Sequence, residues 1–175
     1  MRTIIVRLLS ILSRNDKLLQ DMKLKVGSKA PDFTVNDQDG NPVSLKDYKG
    51  QKVVLYFYPK DNTPTCTEQA CNLRDNTALL AKKGIQVIGV SADTERKHKN
   101  FERKFSLPFP LLADVDHKII DTYGVWGEKM LFGRKYMGIY RFTFLINENG
   151  RIDHIIQKPE VQNHARQILD LWGIK

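Results

Sequence analysis

Cysteine and histidine are scarce in this chain, with two of the first and four of the second among 175 residues. Two cysteines cannot build a disulfide framework. His98, His117, His154 and His164 show no i, i+3 or i, i+4 pairing and none lies near a cysteine. A metal site would be short of ligands, so no metal is expected and each histidine reads as a surface residue. A dense basic run is also missing. The formal net charge of +8 comes from lysines scattered between Lys17 and Lys175. A nucleic-acid module would interleave arginines and aromatics on one stripe, and none is expected here. No internal repeat, low-complexity segment or second domain is visible.

Long uninterrupted apolar runs are absent as well. The nearest approach is Ile4, Ile5, Val6, Leu8, Leu9, Ile11 and Leu12, broken by Arg7 and followed by no small-residue cleavage pattern. That does not suit a signal peptide. The segment is too short and too charged to span a bilayer, although it can form an amphipathic helix. Residues 1–21 therefore read as an extension outside the fold, or as a mis-assigned upstream start. The domain is expected over 22–175, with no stable membrane association and a cytoplasmic location.

What is present is the composition of one soluble globular domain, 41% apolar and 27% charged. A chain of this size buries roughly two thirds of its unfolded surface and needs no covalent staple. Asp39-Gly40 between short apolar segments predicts an N-terminal hairpin. Val53 to Tyr58 is a nearly unbroken run of β-branched, apolar and aromatic residues, as in a central strand buried on both faces. Pro59 stops it. Ala70, Leu73, Thr77, Leu80 and Ala81 then give helical spacing from Thr65 to Lys83, closed by Gly84. Gln86 to Ser91 predicts a second central strand, and Asp93 or Thr94 caps a polar helix to about Lys104. A small helix is expected from Asp116 to Tyr123. Tyr140 to Ile146 and Ile152 to Gln157 form a second hairpin, and a last helix covers about Glu160 to Trp172. This order predicts an α/β fold with helices on both faces of a mixed sheet.

In a reducing cytosol a cysteine pair is more often catalytic or redox-sensing than structural. Cys66 follows the first central strand and opens a helix, the place where α/β proteins commonly put their chemistry. Free N–H groups and the positive dipole end there favour an anion. An ordinary thiol is only about 3% ionised at pH 7, so such placement raises the reactive fraction. Pro59 and Pro64 restrict the loop, and the Thr63 hydroxyl, able to donate and accept, suits a peroxide. Cys71 lies five residues on. In an ideal helix that separation puts the two Cα atoms roughly 8.7 Å apart, whereas a disulfide needs less than about 7 Å. The expected cycle therefore includes local unwinding. Cys66 becomes a sulfenic acid, Cys71 condenses with it, and an external dithiol reduces the pair. The alternatives left open are two inert buried cysteines, a dithiol–disulfide oxidoreductase, which normally wants C-x-x-C, and a redox-controlled binding protein.

Pro59-Lys60-Asp61-Asn62-Thr63-Pro64-Thr65-Cys66 resembles the peroxiredoxin signature P-x-x-x-T-x-x-C. Continued through Thr67-Glu68-Gln69-Ala70-Cys71-Asn72-Leu73-Arg74-Asp75, it is similar to the bacterioferritin comigratory protein / peroxiredoxin Q subfamily. Further matching blocks are Lys29 to Phe33, Tyr123 to Lys129 and Gly138 to Ile146. The resemblance implies a thioredoxin-like fold and reduction of hydrogen peroxide and organic hydroperoxides. It also implies thioredoxin as reductant, no cofactor, and a monomer. By position it makes Cys66 peroxidatic and Cys71 resolving. Pro59 and Thr63 shape the site, and Arg141 serves as its distant arginine. An arginine in an apolar strand is costly unless it meets an anion, which agrees with that role. Thr65 departs from the pattern, since many members have glycine there.

Overall fold

The computed structural model describes residues 22–175, so the expectation about residues 1–21 lies outside the described residues. Two short strands, β1 (Thr34–Asn36) and β2 (Pro42–Ser44), form an antiparallel hairpin around Gly40, and a 3-10 turn follows at Leu45–Tyr48. The central strand β3 (Lys52–Phe57) runs parallel to β4 (Ile85–Ser91), which runs parallel to β5 (Leu111–Ala113). On its other side β3 pairs antiparallel with β8 (Thr143–Ile146), and β8 with β9 (Ile152–Ile156). The mixed sheet thus has the order β5-β4-β3-β8-β9.

Side chains alternate across a strand, so β3 serves two cores at once. Val53, Leu55 and Phe57 face a layer holding Phe33, Val35, Ile119, Ile120 and Tyr123. Val54, Tyr56 and Tyr58 face the opposite layer. That second layer is built from α1 (Pro64–Asp75), α2 (Thr77–Lys82), α3 (Glu95–Phe105) and α5 (His164–Leu171). The remaining helix, α4 (Lys118–Thr122), lies on the first side with the N-terminal hairpin. A Cβ on Gly89 would lie 2.8 Å from Leu111 Cδ2 and 3.0 Å from the Tyr56 ring. Bare backbone at this point in β4 is what lets that ring lie over the sheet.

The last helix starts at His164 rather than about Glu160, and the structure differs from the expected elements in three further places. The helix expected from Thr65 to Lys83 is two helices, because Asn76 has φ −108° and ψ 3° and starts a new turn. Trp126–Leu131 (β6) and Arg134–Ile139 (β7) form a hairpin that the sequence did not announce, turning through Phe132 and Gly133 at positive φ. The strand expected from Tyr140 begins only at Thr143, which leaves Arg141 on irregular chain between β7 and β8. No helix among the described residues is long and apolar enough to cross a membrane.

Candidate active site

The sulfur of Cys66 sits at the third position of α1, beneath the loop that leaves β3. Thr63 is the N-cap with extended backbone, and Pro64 occupies the first helical position, where its missing N–H costs nothing. The first intrahelical bond runs from Thr67 N to Thr63 O. The N–H groups of Thr65 and Cys66 therefore lack intrahelical acceptors and point out of the helix start. Cys66 is 2% exposed, and Cys71 is half-buried in the same helix; both are free thiols.

Arg141 reaches this sulfur from the other side of the chain. Its Nη2 donates to Cys66 Sγ at 3.1 Å, and its Nη1 donates to Gln69 Oε1 at 2.6 Å. The planar fork thus joins the two side chains, which a lysine amine could not do in the same geometry. Arg141 stands on a loop rather than in the apolar strand that the sequence suggested, and its two donors meet the Cys66 sulfur and the Gln69 carbonyl oxygen. Thr63 Oγ1 donates to Lys60 O at 2.9 Å, which leaves its oxygen lone pairs for an incoming donor. Pro59 is half-buried in the bend that carries the chain out of β3. The loop and Arg141 bring Pro59, Thr63, Cys66 and Arg141 to one end of the sheet, with Cys71 about two fifths of a turn beyond one full turn of α1.

Several residues that sequence reasoning passed over build this site. Asp61 pins the Pro59–Thr63 loop. Its Oδ1 accepts from Tyr58 OH at 2.7 Å, its Oδ2 lies 2.7 Å from His98 Nδ1, and its N–H donates to Asp93 Oδ2. His98 Nε2 lies 3.1 Å from Leu112 O, so both ring nitrogens face acceptors. Asn62 adopts φ +58°, a conformation asparagine tolerates better than most residues. Gln69 is fully buried, and its Nε2 lies 2.9 Å from His164 Nδ1. The reading of His98 and His164 as surface residues is therefore wrong: both are 0% exposed. Their partners stand 37 and 95 residues away in sequence, and local spacing carried no sign of them. Gln69 did carry one, since i+3 from Cys66 places it on the same helix face.

Burial and neighbouring charge shift several groups around the sulfur. Burial, with the Arg141 charge adding to it, lowers the His164 pKa to about 3, so the ring is neutral. Burial foremost, then Arg141, lowers the Lys129 pKa below its ordinary value; its Nζ donates to Ile139 O at 3.0 Å. Tyr56 is held as a phenol well above its ordinary pKa, chiefly by burial and then by Asp61 and Cys66. Among the described residues no three His, Cys, Asp or Glu side chains converge as a metal site. A sulfur with a guanidinium 3.1 Å away at the start of a helix, with a hydroxyl on the N-cap residue, is an arrangement that can support attack on an O–O bond.

Comparison with known proteins agrees with this chemistry. The AhpC/TSA family matches residues 26–155. Peroxiredoxin Bcp of Escherichia coli (strain K12) is 47% identical over 147 residues, covering 84% of this chain and 94% of the relative. Peroxiredoxin Bcp of Bacillus subtilis (strain 168) is 45% identical over 148 residues, covering 85% and 94%. Among solved structures, Peroxiredoxin Q of Xanthomonas campestris is similar with a TM-score of 0.77 and 32% identity, over 87% of this chain and 98% of that one.

Proposed function

Because the chain belongs to the AhpC/TSA family and is a peroxiredoxin with a thioredoxin-like fold, a thiol peroxidase, we propose that Cys66 is its peroxidatic cysteine and Cys71 the resolving one. The observation that carries the reading is the Arg141 guanidinium 3.1 Å from Cys66 Sγ at the start of α1. The Cys66 thiolate attacks one peroxide oxygen in line with the O–O bond. An S–O bond forms as the O–O bond breaks, and the other oxygen leaves as water or an alcohol once it takes a proton. Arg141 and the free N–H groups stabilise the charge that moves from sulfur to the leaving oxygen. The Thr63 oxygen accepts from the hydroperoxide O–H and fixes its approach, while Pro59 keeps the loop folded over the sulfur.

The sulfenic acid formed on Cys66 is consumed by Cys71. Its sulfur attacks the Cys66 sulfur, a disulfide forms, and water leaves. Two electrons from an external dithiol of the thioredoxin kind regenerate both thiols. Hydroperoxides are the substrates, and the protein works as a cytoplasmic monomer over a domain spanning 22–175, with residues 1–21 outside it. The test is peroxide-dependent NADPH oxidation with thioredoxin and thioredoxin reductase. Wild type turns over, Cys66→Ser is dead, and Cys71→Ser completes one turnover and then stalls. A Cys66→Ser variant that keeps turning over would place the chemistry elsewhere.

A further inference from the structure

Behind Arg141 lies a line of buried polar atoms that the peroxide chemistry above does not use. Gln69 and His164 are both 0% exposed. A guanidinium only donates, so the Gln69 atom 2.6 Å from Arg141 Nη1 is the carbonyl oxygen. The amide nitrogen of Gln69 then faces His164 Nδ1 at 2.9 Å, and it only donates too. His164 Nδ1 must be the bare, accepting nitrogen, and its proton sits on Nε2. That Nε2 is buried and has no hydrogen-bond partner among the described residues. An unpartnered buried N–H is rare in a folded protein and costly to keep. The opposite tautomer would put a proton on Nδ1 against the Gln69 amide. Gln69 would then have to turn over and present its NH2 group to the guanidinium, donor against donor.

We propose that His164 is a positioning residue for the peroxidase reaction: its neutral ring, protonated at Nε2, fixes the Gln69 amide so that the Gln69 carbonyl holds the Arg141 guanidinium against the Cys66 sulfur. The inference rests on the reading of Cys66 and Arg141 given above and adds the group that sets their geometry. His164 touches neither sulfur nor peroxide. It acts through two hydrogen bonds, from the first turn of α5 through α1 to the loop that carries Arg141. Burial and the Arg141 charge keep the ring from taking a second proton until about pH 3. Above that pH the ring stays neutral, and the orientation of Gln69 is expected to stay the same.

Two measurements test this. The first is a double-mutant cycle on the second-order rate of Cys66 oxidation by hydrogen peroxide, in single turnover. His164→Leu slows that step about tenfold or more in the wild-type background, the scale expected when a charged donor loses one fixed acceptor. In the Arg141→Lys background the same change has little further effect, because the group it positions is already gone. Equal losses in both backgrounds would mean that His164 merely supports the fold, and no loss in a folded His164→Leu protein would likewise overturn the proposal. An Arg141→Lys protein as fast as wild type would instead bring down the assignment of Arg141 itself. The second measurement needs no variant. Nitrogen-15 NMR of the wild-type ring at pH 7 is expected to show a neutral imidazole protonated at Nε2, unchanged down to pH 5. A proton on Nδ1, or an imidazolium, would overturn the proposal even if His164→Leu failed to fold.

Discussion

At the scale of single residues, the guanidinium of Arg141 divides its donors between a sulfur and an amide carbonyl. Lysine would keep the charge and lose the fork. Arg141→Lys is expected to lower kcat/KM for hydrogen peroxide about a hundredfold, the usual cost of one misplaced donor at a developing anion. Steady-state kinetics checks this, and an unchanged value would remove Arg141 from the site. His164 also makes a prediction about stability. The unfolded chain takes up a proton near the ordinary value of 6.5, whereas the folded chain takes it up only at about 3. Between those values the unfolded state binds more protons, so stability falls as pH drops through the window. Replacing His164 with asparagine should flatten that acid limb by on the order of 3 kcal/mol at pH 4. Urea denaturation at pH 7 and pH 4 gives the comparison, and identical slopes for both proteins would contradict it.

At the scale of elements, α1 is fastened to the start of α5 at several points. Glu68 Oε1 accepts from Gln162 Nε2 at 2.7 Å, Asn72 Nδ2 donates to Gln162 O at 2.9 Å, and Asn72 Oδ1 accepts from Ala165 N at 2.9 Å. Joining Cys66 to Cys71 requires the turn between them to unwind, and these bonds resist that. Asn72→Ala is expected to speed disulfide formation severalfold and to lower the yield of Cys66 sulfinic acid at high peroxide, as read by mass spectrometry. In the oxidised protein, hydrogen exchange should show protection lost across residues 66–76 and kept in β3 and β4. An oxidised helix as protected as the reduced one would sink this account. The central strands were legible in the sequence because Val53 to Tyr58 and Gln86 to Ser91 are apolar on both faces. Cys66, Thr63 and Pro59 were legible because strand end, proline and helix start fall within a few residues. The β6–β7 hairpin was not. Its charged Glu128, Lys129, Arg134 and Lys135 are interspersed with exposed Met130, Leu131, Phe132 and Met137, so no buried face marks it. Nor could local pattern find contacts that close only in three dimensions, such as those of His98 and His164.

At the scale of the whole molecule, the sheet order sets β3 in the middle, so its end and the loop after it are supported from both layers. Met22 already belongs to this frame, at 5% exposure in the core beside α4. A chain started at Met22 is expected to match the full chain in melting temperature and peroxidase rate. One started at Val26, which loses the Met22 side chain, should be less stable by about 2 kcal/mol or more. Differential scanning calorimetry distinguishes them, and a loss already present in the Met22 chain would make residues 1–21 part of the fold. The interruption at Asn76 bears on the same frame. Two ladders of backbone bonds meet there, and Asn76 O already accepts from Leu80 N while its own amide turns back to Leu73 O. Melting that starts around the cysteines reaches this seam and finds the next ladder separately begun. On the proposed cycle the break is expected to act as a firebreak, so that one helix comes apart in each round while α2, the strand it feeds and the rest of the sheet stay as they are.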